Sequence, residues 1–321
     1  MKSIFTLGAV AALGTLAAAN TTDKAGSLLV FPSFDNTRAT VHAITVTNTS
    51  ADSTIGNVDV EFVYINEYDC QEFNRTRRLT PNDTLTVYTN LDNPNMTKGY
   101  VYVFAKSTTT GAAISHNHLA GASICVKSGE DPYEMAPVVF QAVGAQGAAT
   151  DVDSDGLRDM NGVEYTKASD EILIPRFISA GGNSRPELAL INLTGGADFT
   201  AIVDFLVYND NEEVYSAQYS FRCYRRVALA SINGAFTDSF LDSTNDATNE
   251  AWTLDGKDLE MGWYKMDGRI AFSSAASVSD PAILAAHFDK IGNWTAAALP
   301  YGVGEQANGD LVVLGIFPDN N

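Results

Sequence analysis

Apolar and polar positions alternate with a period of two through most of the chain. In VDVEFVYI (58–65), Val58, Val60, Phe62 and Tyr64 share one face. Asp59 and Glu61 occupy the other, which this reading assigns to solvent. IVDFLVY (202–208) and LTVYT (85–89) follow the same pattern. Valine, isoleucine, threonine and aromatic residues fill these stretches. Turn residues interrupt them at short intervals, as at Pro81-Asn82, Asn93-Pro94, Gly181-Gly182 and Asn209-Asp210. Beyond the N-terminus no long stretch keeps a helical period, although PAILAAHFDKIG (281–292) admits a short helix. Short strands without intervening helices predict an all-β chain built of Ig-like or jelly-roll-like sandwiches.

The pattern occurs twice. LLVFPSF (28–34) is matched by EILIPRF (171–177), TVTNTS (45–50) by ALINLT (189–194), and VEFVYIN (60–66) by VDFLVYN (203–209). These blocks pair Pro32 with Pro175, Phe34 with Phe177, Asn48 with Asn192 and Glu61 with Asp204. Arg77-Arg78 is paired with Arg225-Arg226, LTVYTN (85–90) with LASIN (229–233), and KGYVY (98–102) with MGWYK (261–265). The spacing lengthens before Gly262, which places an insertion at about 235–260. Ordered repetition of this kind predicts an internal duplication. Its parts are two related β-sandwiches, at 26–145 and 170–321, with a linker at 146–169.

The N-terminus and the charge narrow the setting. Lys2, an apolar run from Ile4 to Leu16 and Ala17-Ala18-Ala19 form a secretory signal peptide over 1–19, with cleavage after Ala19. That run is too short to span a membrane, and no later segment reads as a span. The net charge is −19, from 39 acidic and 20 basic residues. Such a surface repels nucleic acid and anionic lipid and favours divalent cations. Three cysteines in an oxidising compartment allow one bridge, expected between Cys70 and Cys125 because both lie in the first repeat.

Between the repeats stands TDVDSDGLRDMNGVEYT (150–166). With Asp151 as position 1, Asp153, Asp155 and Asp159 occupy positions 3, 5 and 9. Gly156 at position 6 permits a sharp turn, and the Leu157 carbonyl falls at position 7. Position 12 is Gly162, and Glu164 follows two residues later as a substitute ligand. The stretch resembles the DxDxDG calcium loops of EF-hand-like, dockerin and thrombospondin type 3 modules. That resemblance implies calcium held by Asp151, Asp153, Asp155, Leu157, Asp159 and Glu164. Carboxylates about 4 Å apart repel by about 1 kcal/mol each even in water, so a cation would relieve the run. At this place it would order a Gly/Ala-rich connector and fix the geometry between the sandwiches.

Other chemistry is sparse. His116 and His118, if on a strand, point to one face and suggest a transition-metal site; this makes a metal-dependent enzyme one alternative. No nucleophile elbow or ordered Ser/His/Asp set is readable, so no catalytic residue is assigned. Trp252, in the insertion, is the best candidate for stacking on a sugar ring, which makes a glycan-binding module the other alternative. As a whole the chain resembles secreted bacterial proteins built from tandem β-sandwiches, a likeness of architecture alone. The leading expectation is a secreted, calcium-stabilised, non-enzymatic protein. Its role would be binding, adhesion or structure at the cell surface, with a surface protein or polysaccharide as partner.

Overall fold

A computed structural model describes residues 24–54, 56–194, 200–209, 212–241, 252–254, 257–270 and 280–311. The signal peptide expected at 1–19 lies outside them. The first repeat forms β1 (Leu28–Asp35), β2 (Thr40–Asn48), β3 (Val58–Asn66), β4 (Glu72–Leu79), β5 (Thr84–Tyr88), β6 (Lys98–Lys106), β7 (Leu119–Lys127), β8 (Tyr133–Met135) and β9 (Val138–Phe140). After β10 (Arg158–Met160), the second repeat forms β11 (Glu171–Ile178), β12 (Glu187–Asn192), β13 (Ala201–Asn209), β14 (Val214–Phe221) and β15 (Tyr224–Ala228). A hairpin follows, β16 (Trp252–Leu254) with β17 (Lys257–Leu259). The repeat then closes with β18 (Met261–Ile270), β19 (Ile283–Ile291), β20 (Trp294–Ala298) and β21 (Tyr301–Val303), and β22 (Gly309–Leu311) pairs with β10.

The first sandwich packs a five-stranded sheet, β4-β3-β6-β1-β9, on a four-stranded sheet, β5-β2-β7-β8. The second repeats both orders, β14-β13-β18-β11-β21 and β15-β12-β19-β20. The two copies share their irregularities as well. The β1–β6 register shifts between Phe31 and Phe34, and the β11–β18 register shifts between Ile174 and Phe177. Pro32 and Pro175 sit in these bulges, where the missing amide proton costs no ladder bond. Gly99 and Gly262 are forced by close packing: a Cβ would stand 1.7 Å from the Ile65 carbonyl oxygen and 2.4 Å from that of Tyr208. The rings of Phe34 and Phe177 lie against those two glycines.

Each sandwich has its own core. Leu29, Phe31, Phe62, Tyr64 and Val103 fill the first, and Ile174, Phe177, Val203, Phe205 and Tyr264 the second. A further core joins them. Leu28, Val30, Val63, Ile65, Tyr100, Tyr102 and Phe104, on the outer face of the first five-stranded sheet, meet Ala189, Ile191, Ala286 and Phe288, on the outer face of the second four-stranded sheet. β1 and β19 are therefore buried on both faces, apart from Lys290. This is why PAILAAHFDKIG shows no alternation. It is a doubly covered strand rather than a helix.

Several sequence expectations are corrected by the joint. Glu61 does not face solvent: it is buried, accepts from Thr76 Oγ1 (2.5 Å) and pairs with Lys106 Nζ (2.8 Å). Its counterpart Asp204 pairs with Arg269 (2.6 Å) on an uncovered face. The disulfide is Cys70–Cys223, with Cα atoms 6.0 Å apart, and not Cys70–Cys125. Cys70 lies in the β3–β4 turn in the left-handed region (φ 58°) and faces the joint. Cys125 is buried and free, and burial raises its thiol pKa. The arginine pairs do not correspond, because Arg77-Arg78 lies on β4 and Arg225-Arg226 on β15, the counterpart of β5. By register Val87 matches Val227, so LASIN begins at the match of Thr89 and is out of step with LTVYTN.

Candidate metal centre

The connector between the sandwiches is a packed element. Met160 and Tyr165 are fully buried in the joint core, and the Tyr165 hydroxyl lies 3.1 Å from Thr150 Oγ1. Arg158 is buried with its guanidinium 4.9 Å above the Phe104 ring of the first sandwich. β10 meanwhile pairs with β22 beyond the second sandwich. The acidic loop is thereby fixed at the joint at both ends.

Short Asx turns shape the loop. Asp153 Oδ1 accepts from the Asp155 amide (3.3 Å), and Asp155 Oδ1 from the Leu157 amide (2.8 Å). Gly156 takes φ 85°, a conformation that glycine adopts without strain. Glu164 is buried, and its oxygens accept from the amides of Val152 (2.5 Å) and Asp159 (3.3 Å). Asn161 Oδ1 accepts from the Val163 and Glu164 amides and sets the turn that brings Glu164 back.

The result is an acidic cluster that could hold a metal ion. Asp151, Asp153 and Glu164 place one oxygen each within 4.8 Å of one another, as do Asp153, Asp155 and Asp159. The two groups share Asp153. Asp151 Oδ1 and Asp159 Oδ1 are buried without a hydrogen-bond partner. Burial, followed by the charges of Glu164, Asp155, Asp310 and Asp153, pushes the Asp159 pKa up to about 7. Burial also raises that of Glu164. Arg158 comes no closer than 4.0 Å to Asp151 and donates instead to the Gly156 carbonyl. All-oxygen donors, partly desolvated and mutually repelling, fit a hard cation. The Leu157 carbonyl is a candidate by spacing alone.

The other sequence candidates land elsewhere. His116 and His118 stand in the turn before β7 and not on a strand. Their rings meet edge to face at 5.1 Å. His116 is buried, with Nε2 3.0 Å from Asn48 Oδ1 and Nδ1 2.8 Å from Gln146 Nε2. Burial lowers its pKa to about 4, so the ring is neutral and both nitrogens are engaged. Among the described residues, no third His, Cys, Asp or Glu joins these two within metal-ligand reach. Trp252 begins β16, and its side chain lies outside the described residues. Trp263 is stacked on Tyr208 at 3.9 Å. Sequence reasoning missed the buried chain Tyr264–His287–Asp289 in the second sandwich, closed at the surface by the exposed Arg176. The alternation His287-x-Asp289 was its only signal.

No family model matches the chain, and no curated protein matches it. Among solved structures, one described as "Cryo-EM Atomic Structure of Broad Bean Stain Virus (BBSV)" aligns over 94% of this chain and 99% of that chain. The identity is 10% and the TM-score 0.20, and at that score the alignment carries no argument. Among the described residues no helix is long and apolar enough to cross a membrane.

Proposed function

We propose that this is a secreted, non-enzymatic protein whose two sandwiches are clasped by calcium at their joint, and that it acts at the cell surface in binding, adhesion or structure. The observation that carries the reading is the acidic cluster seated on the joint, with Asp159 held near pH 7 and two buried carboxylate oxygens unpaired. The ligands are Asp151, Asp153, Asp155, Asp159 and Glu164, with the Leu157 carbonyl. Calcium suits the site better than magnesium. It accepts six to eight oxygens in irregular geometry, whereas magnesium demands a near-ideal octahedron. The Cys70–Cys223 bridge supports secretion, because structural disulfides persist in oxidising compartments. The partner in this reading is a surface protein or polysaccharide.

The test is a calorimetric calcium titration of the purified chain, with melting temperature read in calcium and in chelator. Saturable binding and a higher melting temperature in calcium are expected, both lost in Asp153→Asn, which removes the carboxylate common to the two groups. Elemental analysis identifies the resident ion. Absence of bound calcium, of binding heat and of any thermal shift would end the reading.

A further inference from the structure

The duplication leaves two faces over. Each sandwich has an outer face on its five-stranded sheet and another on its four-stranded sheet. Inside the chain, the five-stranded face of the first sandwich is docked on the four-stranded face of the second. Among the described residues, no core of this kind covers the four-stranded face of the first sandwich or the five-stranded face of the second. Register matches them, position by position, to the faces already joined. Thr45, Ala122 and Ile124 correspond to Ala189, Ala286 and Phe288. Leu173, Leu206, Tyr208 and Trp263 correspond to Val30, Val63, Ile65 and Tyr100.

Exposed large apolar side chains gather on these two faces. Val41 (47%), Tyr88 (50%), Ile124 (43%) and Val126 (44%) stand on the first. Leu206 (37%), Val214 (53%), Tyr301 (49%) and Val303 (46%) stand on the second. The paired strands β2, β5 and β7 present only uncharged side chains on the first face, with hydroxyl pairs Thr45–Thr86 (2.9 Å) and Thr47–Thr84 (3.0 Å). β8 adds one acid to this face, Glu134 opposite Ile124. In a chain of net charge −19, a face with so little charge marks a contact surface. The second face carries Glu171–Lys265 and Asp204–Arg269 as neutralised pairs, with the exposed Asp267 between Glu171 and Asp204 as its one further acid on β18. Asp204–Arg269 matches Glu61–Lys106, which the internal joint already buries. Ion pairs of this kind are compatible with docking.

We infer that a second copy of this chain is the occupant, docked head to tail. The four-stranded face of one copy's first sandwich covers the five-stranded face of the next copy's second sandwich, repeating the internal joint between molecules. Such a contact is heterologous, so it propagates into rings or open chains. Lys265 and Asp267 replace Tyr102 and Phe104, which makes the contact weaker than the internal joint and reversible with dilution. The inference does not rest on calcium.

Sedimentation velocity and light scattering on the purified, disulfide-intact chain test it, in calcium and in chelator. The average mass is expected to climb past two chains as concentration rises. Ile124→Glu on one face and Leu206→Glu on the other should each stop that growth. An equimolar mixture of the two variants should halt at two chains, because each keeps one sound face. Unchanged melting temperatures show that the variants fold; Thr45→Glu replaces Ile124→Glu if that one does not. A chain that stays monomeric at about 1 mM, where the weakest specific contacts would still show, overturns the inference. So does assembly that Ile124→Glu abolishes and Leu206→Glu leaves intact, because the first sandwiches would then be pairing with each other.

Discussion

The two sandwiches have the same strand orders and the same bulges, yet opposite faces of each are covered. At one sheet position the first sandwich has Tyr100, Tyr102 and Phe104, all buried, and the second has Trp263, Lys265 and Asp267 on an open face. On the other sheet the contrast reverses: Phe288 is fully buried, and its counterpart Ile124 is 43% exposed. The backbone plan is indifferent to this difference. What a position contributes depends on what lies across from it, so equivalent residues carry different energies. Paired substitutions at equivalent positions isolate the contribution of the joint.

The largest contrast is at that pair. Phe288→Ala empties a site beneath the Arg226 guanidinium, 3.8 Å from the ring, and should cost about 3–5 kcal/mol in denaturant unfolding. Ile124→Ala removes an exposed side chain and should change stability by about 0.5 kcal/mol or less in a dilute monomer. Equal losses would mean that the joint contributes no more than a surface. The next effect is that of the bridge. Cys70→Ser with Cys223→Ser releases a loop closed across 153 residues and should cost about 2–5 kcal/mol. The loss should be read as earlier separation of the sandwiches, with near-unchanged far-UV circular dichroism at the first step. The ion pairs follow. Glu61→Ala strands Lys106 at the edge of the joint and should cost about 2–3 kcal/mol. Asp204→Ala, on the open face, should cost about 0.2–1 kcal/mol.

These differences also explain what could be read from the sequence. Strand periodicity and the repeats at Pro32/Pro175 and Phe34/Phe177 are local patterns, and they carry the fold. The joint is a property of two distant surfaces, and no window of sequence contains it. Glu61 keeps the alternation of a solvent-facing acid because alternation records which face a residue is on, not what covers that face. Cys70 finds Cys223 across the joint, so proximity in sequence to Cys125 misled. Arg77-Arg78 and Arg225-Arg226 look alike as letters and lie on non-equivalent strands. The strand placement of the histidine pair went wrong for the same reason: H-x-H is a shared face only on a strand, and His116 and His118 lie in a turn. The acidic loop was legible because its spacing is its geometry. The return of Glu164 was legible only as a possibility, since it depends on Asn161 turning the chain.

The loop is the part with no counterpart in either sandwich, and its pH response separates it from both. The Asp159 carboxyl has a folded value of about 7 against an ordinary 3.8. Between those values the folded chain holds a proton that the unfolded chain has released, so stability falls as pH rises. The penalty from this group is absent below about pH 4 and complete above about pH 7. In chelator, the melting temperature should therefore decline across that window more steeply for the parent chain than for Asp159→Asn. Calcium acts on the same oxygens with the opposite preference, because it binds the ionised form. Its affinity should weaken by up to about tenfold for each pH unit below 7, equivalent to about 1.4 kcal/mol. Calorimetric titrations at pH 6 and pH 8 measure this directly. If the two affinities agree, Asp159 is not among the ligands, and the clasp must close through Asp151, Asp153 and Glu164 alone.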